Sequence, residues 1–219
     1  MCLMDAALIS ATRTAAVSAL AIRTLAPRPV RTLGLVGAGR QAQAHLELLL
    51  RSEPELVSVR VHDVRPRTAE EFAAGFADYG IPVTAVADPR AAVEGADAVV
   101  TATTATADDG YLAPDWLSPD AVVAHVSLDD LLPETVLAAA CLVVDDWDLI
   151  SADPRRLFGR MIRAGRLTAP DADPAAPPGP AASSTGHSQA RRADEKGKTM
   201  TRTATRPSST VAKSEASRR

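Results

Sequence analysis

Apolar and polar positions along this chain recur with two different periods, and the switching between those periods organises most of its length. Residues 5–26 are alanine-rich and free of Gly and Pro, with Leu8, Ala15, Ala16, Ala19 and Leu20 at helical spacing and Pro27 and Pro29 just beyond. That pattern predicts one long helix with a proline stop. Residues 31–37 are a short apolar run closed by glycine, which reads as a buried strand; 40–51 then place Ala42, Leu46, Leu49 and Leu50 at helical intervals, and 58–62 form a second strand-like run ending at Asp63. The alternation continues with a helical pattern over 68–79, a strand over 82–86, a short helix over 89–94 and a valine-dense strand over 98–101. Two more apolar runs, 121–126 and 142–144, are of the kind that fill parallel strands buried on both faces. Six strands separated by helices or crossovers predict an α/β chain with an open, doubly wound parallel sheet preceded by a long helix.

Past residue 167 the pattern is lost. Residues 168–219 contain no aromatic side chain, few large aliphatics, and clusters of Pro, Ala, Ser and Thr. Ordering costs about 1–2 kcal/mol per residue for the backbone alone, more than such a segment recovers by burial, so a disordered tail is expected. The formal charge of −3 divides along the same line. The first 167 residues are acidic and contain arginine but no lysine, whereas all three lysines, Lys196, Lys198 and Lys213, lie in the basic remainder. The basic residues of the tail are diluted and interleaved with acids, which speaks against a nucleic-acid footprint. Cys2 and Cys141 are too few for a disulfide framework and suit a reducing cytoplasm. No apolar run is long enough to span a bilayer, and the four scattered histidines show no metal-ligand spacing. The expected organisation is a helix and linker over 1–29, a nucleotide-binding domain over 30–167 and a tail over 168–219.

The sharpest local chemistry is Gly37-Ala38-Gly39-Arg40-Gln41-Ala42, a G-x-G-x-x-A sequence between the first strand and the helix after it. In such a turn Gly37 permits the tight bend, Gly39 lets backbone approach a pyrophosphate, and Ala42 allows close helix–strand packing. Free N–H groups and the positive end of the helix dipole then face the anion. Asp63 closes the second strand 24 residues after Gly39, where a carboxylate can accept hydrogen bonds from both hydroxyls of an adenosine ribose and would repel a 2′-phosphate. A dinucleotide site is expected here rather than a bare structural turn, with NAD favoured over NADP; Arg65 and Arg67 soften that preference. At the carboxyl ends of later strands stand Thr101-Ala-Thr-Thr104 and Val126-Ser-Leu-Asp-Asp130. There Thr103 can hydrogen-bond the nicotinamide half, Val126 can pack on its ring, and Asp129 can serve as acid/base or hold a substrate ammonium. Capping of a helix at Pro133-Glu134 is an equal reading for Asp129 or Asp130.

Three blocks in order, Arg13-Thr-Ala-Ala-Val-Ser-Ala, Thr32-Leu-Gly-Leu-Val-Gly-Ala-Gly-Arg-Gln-Ala and Glu94-Gly-Ala-Asp-Ala-Val-Val-Thr-Ala-Thr-Thr, resemble the ornithine cyclodeaminase/μ-crystallin family over residues 7–167. Within it, Ser127-Leu-Asp-Asp, Val144-Asp-Asp-Trp-Asp148 and the segment from Arg155 to Gly165 look most like the N-(2-amino-2-carboxyethyl)-L-glutamate dehydrogenase branch, which oxidatively releases 2,3-diaminopropionate and 2-oxoglutarate in siderophore and peptide-antibiotic synthesis. The resemblance implies NAD(P)-dependent hydride transfer at the α-carbon of a small amino or imino acid. It gives Arg13 a role against substrate carboxylate or cofactor phosphate, and Gly37, Gly39, Arg40 and Gln41 the pyrophosphate turn. Asp63 takes the ribose, Thr103, Val126 and Ser127 the nicotinamide side, and Asp129 the catalytic carboxylate.

Departures from the family pattern shape the remaining expectations. Family members begin with a substrate and dimerisation domain that supplies a lysine and an arginine for the amino acid, whereas this chain starts just before the Arg13 helix and has no lysine before Lys196. A truncated protein, weakly active or inactive alone, is therefore expected, with a homodimer or a complementing N-terminal domain as its partner. Ring-forming deaminases tend to carry a lysine where Pro133 stands, which counts against ornithine cyclisation to proline and ammonia. A non-catalytic, μ-crystallin-like ligand-binding module is the reading from another functional class.

Overall fold

The structure is a computed structural model that describes residues 6–104, 110–144 and 146–168, together with the backbone of 201–203. By chain contacts it divides into two compact units, Met1–Leu137 and Ala138–Arg219.

The first unit opens with helix α1 (Ala6–Leu25) and continues as β1 (Thr32–Val36), α2 (Arg40–Ser52), β2 (Ser58–His62), α3 (Pro66–Gly75), β3 (Val83–Ala85), α4 (Pro89–Val93), β4 (Ala98–Thr101), β5 (Val122–His125) and α5 (Pro133–Ala138). Five strands form one parallel sheet in the order β3-β2-β1-β4-β5. Successive side chains of a strand point to opposite faces, so a strand with every residue buried is covered on both sides. That holds for all four residues of β4 and for Leu33 through Val36 of β1, the centre of the sheet. Leu33, Leu35, Val59, Val61, Ala98 and Val100 meet Ala42, Leu46 and Leu49 of α2 in the core, with Ala69, Phe72 and Phe76 of the α3 region.

The expected strand over 142–144 forms, as β6 (Leu142–Val144), but it is not a sixth strand of the parallel sheet. It pairs antiparallel with β7 (Thr201–Thr203). An apolar run of three residues satisfies either kind of ladder, and all three side chains of β6 are only half-buried, unlike those of β4. The rest of the second unit has α6 (Trp147–Ala152), capped by Asp146 accepting the Leu149 N–H at 2.9 Å, and α7 (Leu157–Arg163). Hydrogen bonds from Arg155, and a further one from Arg156, hold the half-buried Asp153 carboxyl down at about 2. Apart from Thr168 and Thr201–Thr203, the tail expected over 168–219 lies outside the described residues.

Two polar devices fix the first unit. At the amino ends of β1 and β4, the Asp97 carboxylate accepts from the Arg31 and Thr32 backbone N–H groups at 3.0 and 2.9 Å, from the Thr32 hydroxyl at 2.9 Å and from Arg28 Nε at 3.1 Å. Burial pushes its pKa up, but these bonds and the Arg28 charge together outweigh burial and leave it below its usual value. Between α1 and α2, buried His45 places Nδ1 2.6 Å from the Gln41 carbonyl oxygen and Nε2 3.0 Å from the Ser18 hydroxyl. A carbonyl only accepts, so Nδ1 carries the proton and Nε2 of the neutral ring accepts from Ser18. Around that bond α1 buries Ala11, Ala15, Ser18, Ala19 and Ile22. Leu8 and Leu20, expected on the packed face, are 66% and 59% exposed, because close approach to α2 selects the small side chains.

Asp97→Ala is expected to destabilise the first unit by about 1–2 kcal/mol in urea denaturation, since the half-buried Thr32 N–H and hydroxyl lose their acceptor. Burial lowers the His45 pKa from 6.5 despite the bond to Gln41. The unfolded chain therefore takes up a proton below pH 6.5 that the folded chain refuses, and stability falls as pH drops from 6.5 toward the lowered value. Denaturation midpoints from pH 7.5 to 5 should show this slope, and His45→Gln should remove it.

Candidate functional site

The sheet order reverses between β1 and β4, and in an open parallel sheet the crevice beyond the strand ends at such a reversal is where ligands sit. Gly37 leaves β1 there with φ +95°, and a Cβ on it would lie 2.7 Å from the Ala102 carbonyl oxygen and 3.1 Å from the Thr103 nitrogen. Only glycine tolerates that pairing of left-handed backbone and direct backbone contact. The turn is tied on both sides, by the Gly37 N–H to the His62 carbonyl and by the Ala102 N–H to the Val36 carbonyl, each at 2.8 Å.

Gly39 is the cap of α2, and among the described residues no side-chain acceptor is bonded to the first helical turn and no atom beyond the glycine's own chain neighbours lies within 4 Å of where a Cβ would stand. Open space therefore faces the first N–H groups of a 13-residue helix, which no described side chain caps, at its positive end. Arg40 is exposed beside it, Gln41 is half-buried, and the Gln41 side-chain oxygen is buried without a hydrogen-bond partner. Ala42 is fully buried against the core.

Asp63, at the end of β2, accepts the Ala38 N–H at Oδ2 and the Arg65 N–H at Oδ1, both at 3.0 Å. It braces the glycine turn and keeps further lone pairs on each oxygen. The Arg65 guanidinium, 77% exposed, stands 3.6 Å from Oδ1.

Across the reversal, the Thr103 hydroxyl donates to Asp130 at 2.8 and 3.0 Å from its two oxygens, and the Tyr111 hydroxyl donates to Oδ1 at 3.0 Å. The Asp130 backbone carbonyl also accepts the N–H groups of Tyr111 and Leu112, and Leu112 bridges Leu131 in parallel. Gly110 is needed beside this contact, where a Cβ would run into the Leu131 carbonyl. Burial, then the Asp130 charge and hydrogen bond, then the Asp63 charge, push the Tyr111 pKa well above the usual tyrosine range. Tyr111 thus stays a donor to Asp130.

Ser127 donates to Thr101 Oγ1 at 2.7 Å, and Thr101 Oγ1 lies within hydrogen-bond distance of His125 Nδ1, at 2.8 Å. Val126 and Ser127 both give their backbone N–H to the Thr101 carbonyl at 3.0 Å. Asp129 is buried. Arg13 is exposed on α1 and forms no hydrogen bond or ion pair with a described residue.

The glycine turn, Asp63, Thr103 and the Val126–Ser127 strand end thus lie along the carboxyl edge of β2, β1, β4 and β5. The expectation from sequence put the catalytic role on Asp129, with helix capping an equal reading for Asp129 or Asp130, and overlooked Tyr111. The structure separates the two carboxylates: Asp130 holds Thr103 and Tyr111, and it does not cap α5, whose first N–H bonds go to the Leu132 carbonyl. The usable signal was Gly110-Tyr111, a glycine demanded by close approach beside a tyrosine in a chain with only two.

The family model of ornithine cyclodeaminase/mu-crystallin matches residues 1–146. The chain belongs to that family. N-((2S)-2-amino-2-carboxyethyl)-L-glutamate dehydrogenase of Staphylococcus aureus is 28% identical over 167 residues, 75% of this chain and 49% of that protein. Among solved structures, that of CmnK is 39% identical with a TM-score of 0.65, covering 71% of this chain and 46% of that one. The Thermococcus litoralis Δ1-pyrroline-2-carboxylate reductase, solved with NADH and L-proline, is 29% identical with a TM-score of 0.55 over 59% of this chain and 41% of that one. This chain spans about half or less of the length of the curated relatives it matches. Among the described residues no helix is long and apolar enough to cross a membrane.

Gly37→Ala should cost at least about 2 kcal/mol in urea denaturation, combining left-handed strain with the Ala102 contact. Gly39→Ala, entering open space, should leave stability within about 0.5 kcal/mol of the parent.

Proposed function

We propose that this chain is the dinucleotide-binding part of an NAD-dependent amino-acid dehydrogenase of the N-(2-amino-2-carboxyethyl)-L-glutamate type. One observation carries the reading: the open space over Gly39 at the uncapped start of α2, flanked by Asp63 at the next strand end. These residues fit a dinucleotide. The N–H groups following Gly39 would hold the pyrophosphate with Arg40 beside them, and Asp63 would take the adenosine ribose hydroxyls, favouring NAD over NADP. Thr103 and the Val126–Ser127 strand end would line the nicotinamide side. A bound nicotinamide supplies the acceptor or donor of a hydride.

The chain's own part is proton and charge management. An α-amino C–H gives up hydride only when the nitrogen lone pair is free to form an iminium, so Asp129 is assigned the proton from that nitrogen and the stabilisation of the developing cation. The same carboxylate would activate the water that hydrolyses the imine to 2,3-diaminopropionate and 2-oxoglutarate. Arg13 is assigned a substrate carboxylate or the cofactor phosphate. With no lysine before Lys196, the chain offers arginine alone for the carboxylates of a substrate in its first 195 residues. Little turnover is expected from these residues by themselves, and Pro133 in place of a lysine disfavours ornithine cyclisation. Two cysteines in 219 residues fit a reducing cytoplasm.

Fluorescence titration with NADH should give a Kd in the micromolar to millimolar range, lost in Gly39→Val while thermal unfolding stays unchanged. Wild-type protein that fails to bind NADH, or Gly39→Val protein that binds it equally well, overturns the reading.

A further inference from the structure

We propose that Asp130 is a positioning residue that sets the hydrogen-bonding polarity of Thr103, making the β4 end of the crevice select a carboxamide over a carboxylate on the pyridine ring of a dinucleotide. The inference rests on the dinucleotide reading and adds a residue and a selectivity to it.

A threonine hydroxyl has one proton and two lone pairs, so whoever takes the proton decides what the oxygen can offer elsewhere. Here both oxygens of Asp130, a residue 1% exposed, lie within hydrogen-bond distance of Thr103 Oγ1. The proton is committed, and Thr103 presents only lone pairs to a ligand. Tyr111 is in the same condition, because its proton also goes to Asp130 and burial beside that charge keeps it protonated. Thr103 belongs to the crevice by its backbone, which meets the Gly37 turn at the strand reversal. Acceptors there pair with the N–H groups of a carboxamide. They repel a ring carboxylate, which has lone pairs and charge but no proton to give, and buried Asp130 adds its own charge to that repulsion.

The alternative role for Asp130 is purely structural, tying residues 103, 111 and 130 together. The two roles differ in selectivity. Asp130→Asn is nearly isosteric: its amide oxygen can still accept from Tyr111 while its NH2 donates to Thr103, which frees the threonine proton to point at a ligand. Thr103→Val keeps the Asp130 charge and its Tyr111 bond but removes the acceptor.

The test is calorimetric titration of the whole chain with NAD+ and with nicotinic acid adenine dinucleotide, which differs only in carrying the carboxylate, with circular dichroism confirming the fold of each variant. Wild-type protein should bind NAD+ at least about tenfold more tightly than the acid. In Asp130→Asn that ratio should fall toward unity, largely through tighter binding of the acid. In Thr103→Val it should also fall, through weaker binding of NAD+. Tyr111→Phe, which leaves the Thr103 bonds in place, should keep the wild-type ratio. A ratio that is near unity in wild type, or unchanged in both Asp130→Asn and Thr103→Val while NAD+ still binds, overturns the polarity role and leaves the dinucleotide reading standing. If Asp130→Asn does not fold, Thr103→Val decides alone. Wild-type protein that binds neither dinucleotide overturns both.

Discussion

The turn after β1 has to pass against the backbone of β4's continuation closely enough that no Cβ fits between Gly37 and the Ala102 carbonyl. That contact brings the ends of β1 and β4 together, and what surrounds it is arranged to keep it. His62, from β2, accepts the Gly37 N–H, Asp63 accepts the next N–H in the turn, and Ala102 returns a bond to Val36. At the opposite end of the same two strands Asp97 gathers the Arg31 and Thr32 N–H groups with the Arg28 guanidinium. The sheet centre is therefore pinned at both ends, by glycine contact at one and by a carboxylate at the other, with Leu33, Leu35, Val99 and Val100 sealed between.

The central strands β1 and β4 were legible in the sequence because they are buried on both faces and so read as apolar runs, and β2 and β4 have the expected bounds. The glycine fingerprint was legible for a similar reason, since its residue types answer a geometric demand. Two things were not. The run at 142–144 has the same composition as a parallel strand, but three residues carry no information about which edge will pair with them. The helical period of α1 was clear while its buried face was not, because alanines on either side fit the pattern and only the partner helix decides between them. Asp129 and Asp130 show the limit most plainly. Outside regular structure there is no period to tell which of two adjacent side chains turns toward Thr103.

The chain belongs to the ornithine cyclodeaminase/mu-crystallin family, and the carboxyl edge of its sheet is furnished with side-chain acceptors. Asp63 and Asp130 set carboxylate acceptors beside that edge, the latter taking the Thr103 and Tyr111 hydroxyl protons, while the first N–H groups of α2 have no side-chain cap among the described residues. On the proposed dinucleotide reading, such a division would set an anionic centre toward the helix and hydroxyls and N–H groups toward the strand ends.

The place of β1 in the sheet has a consequence for rigidity. It is hydrogen-bonded along both edges, to β2 and to β4, and its side chains are buried on both faces. Its amides can exchange with solvent only when the whole sheet opens, whereas those of β3, at the sheet's edge, have an easier route. The open space over Gly39 thus grows out of the best-protected strand of the sheet. A ligand that settles there finds its donors already fixed and surrenders little chain entropy in meeting them.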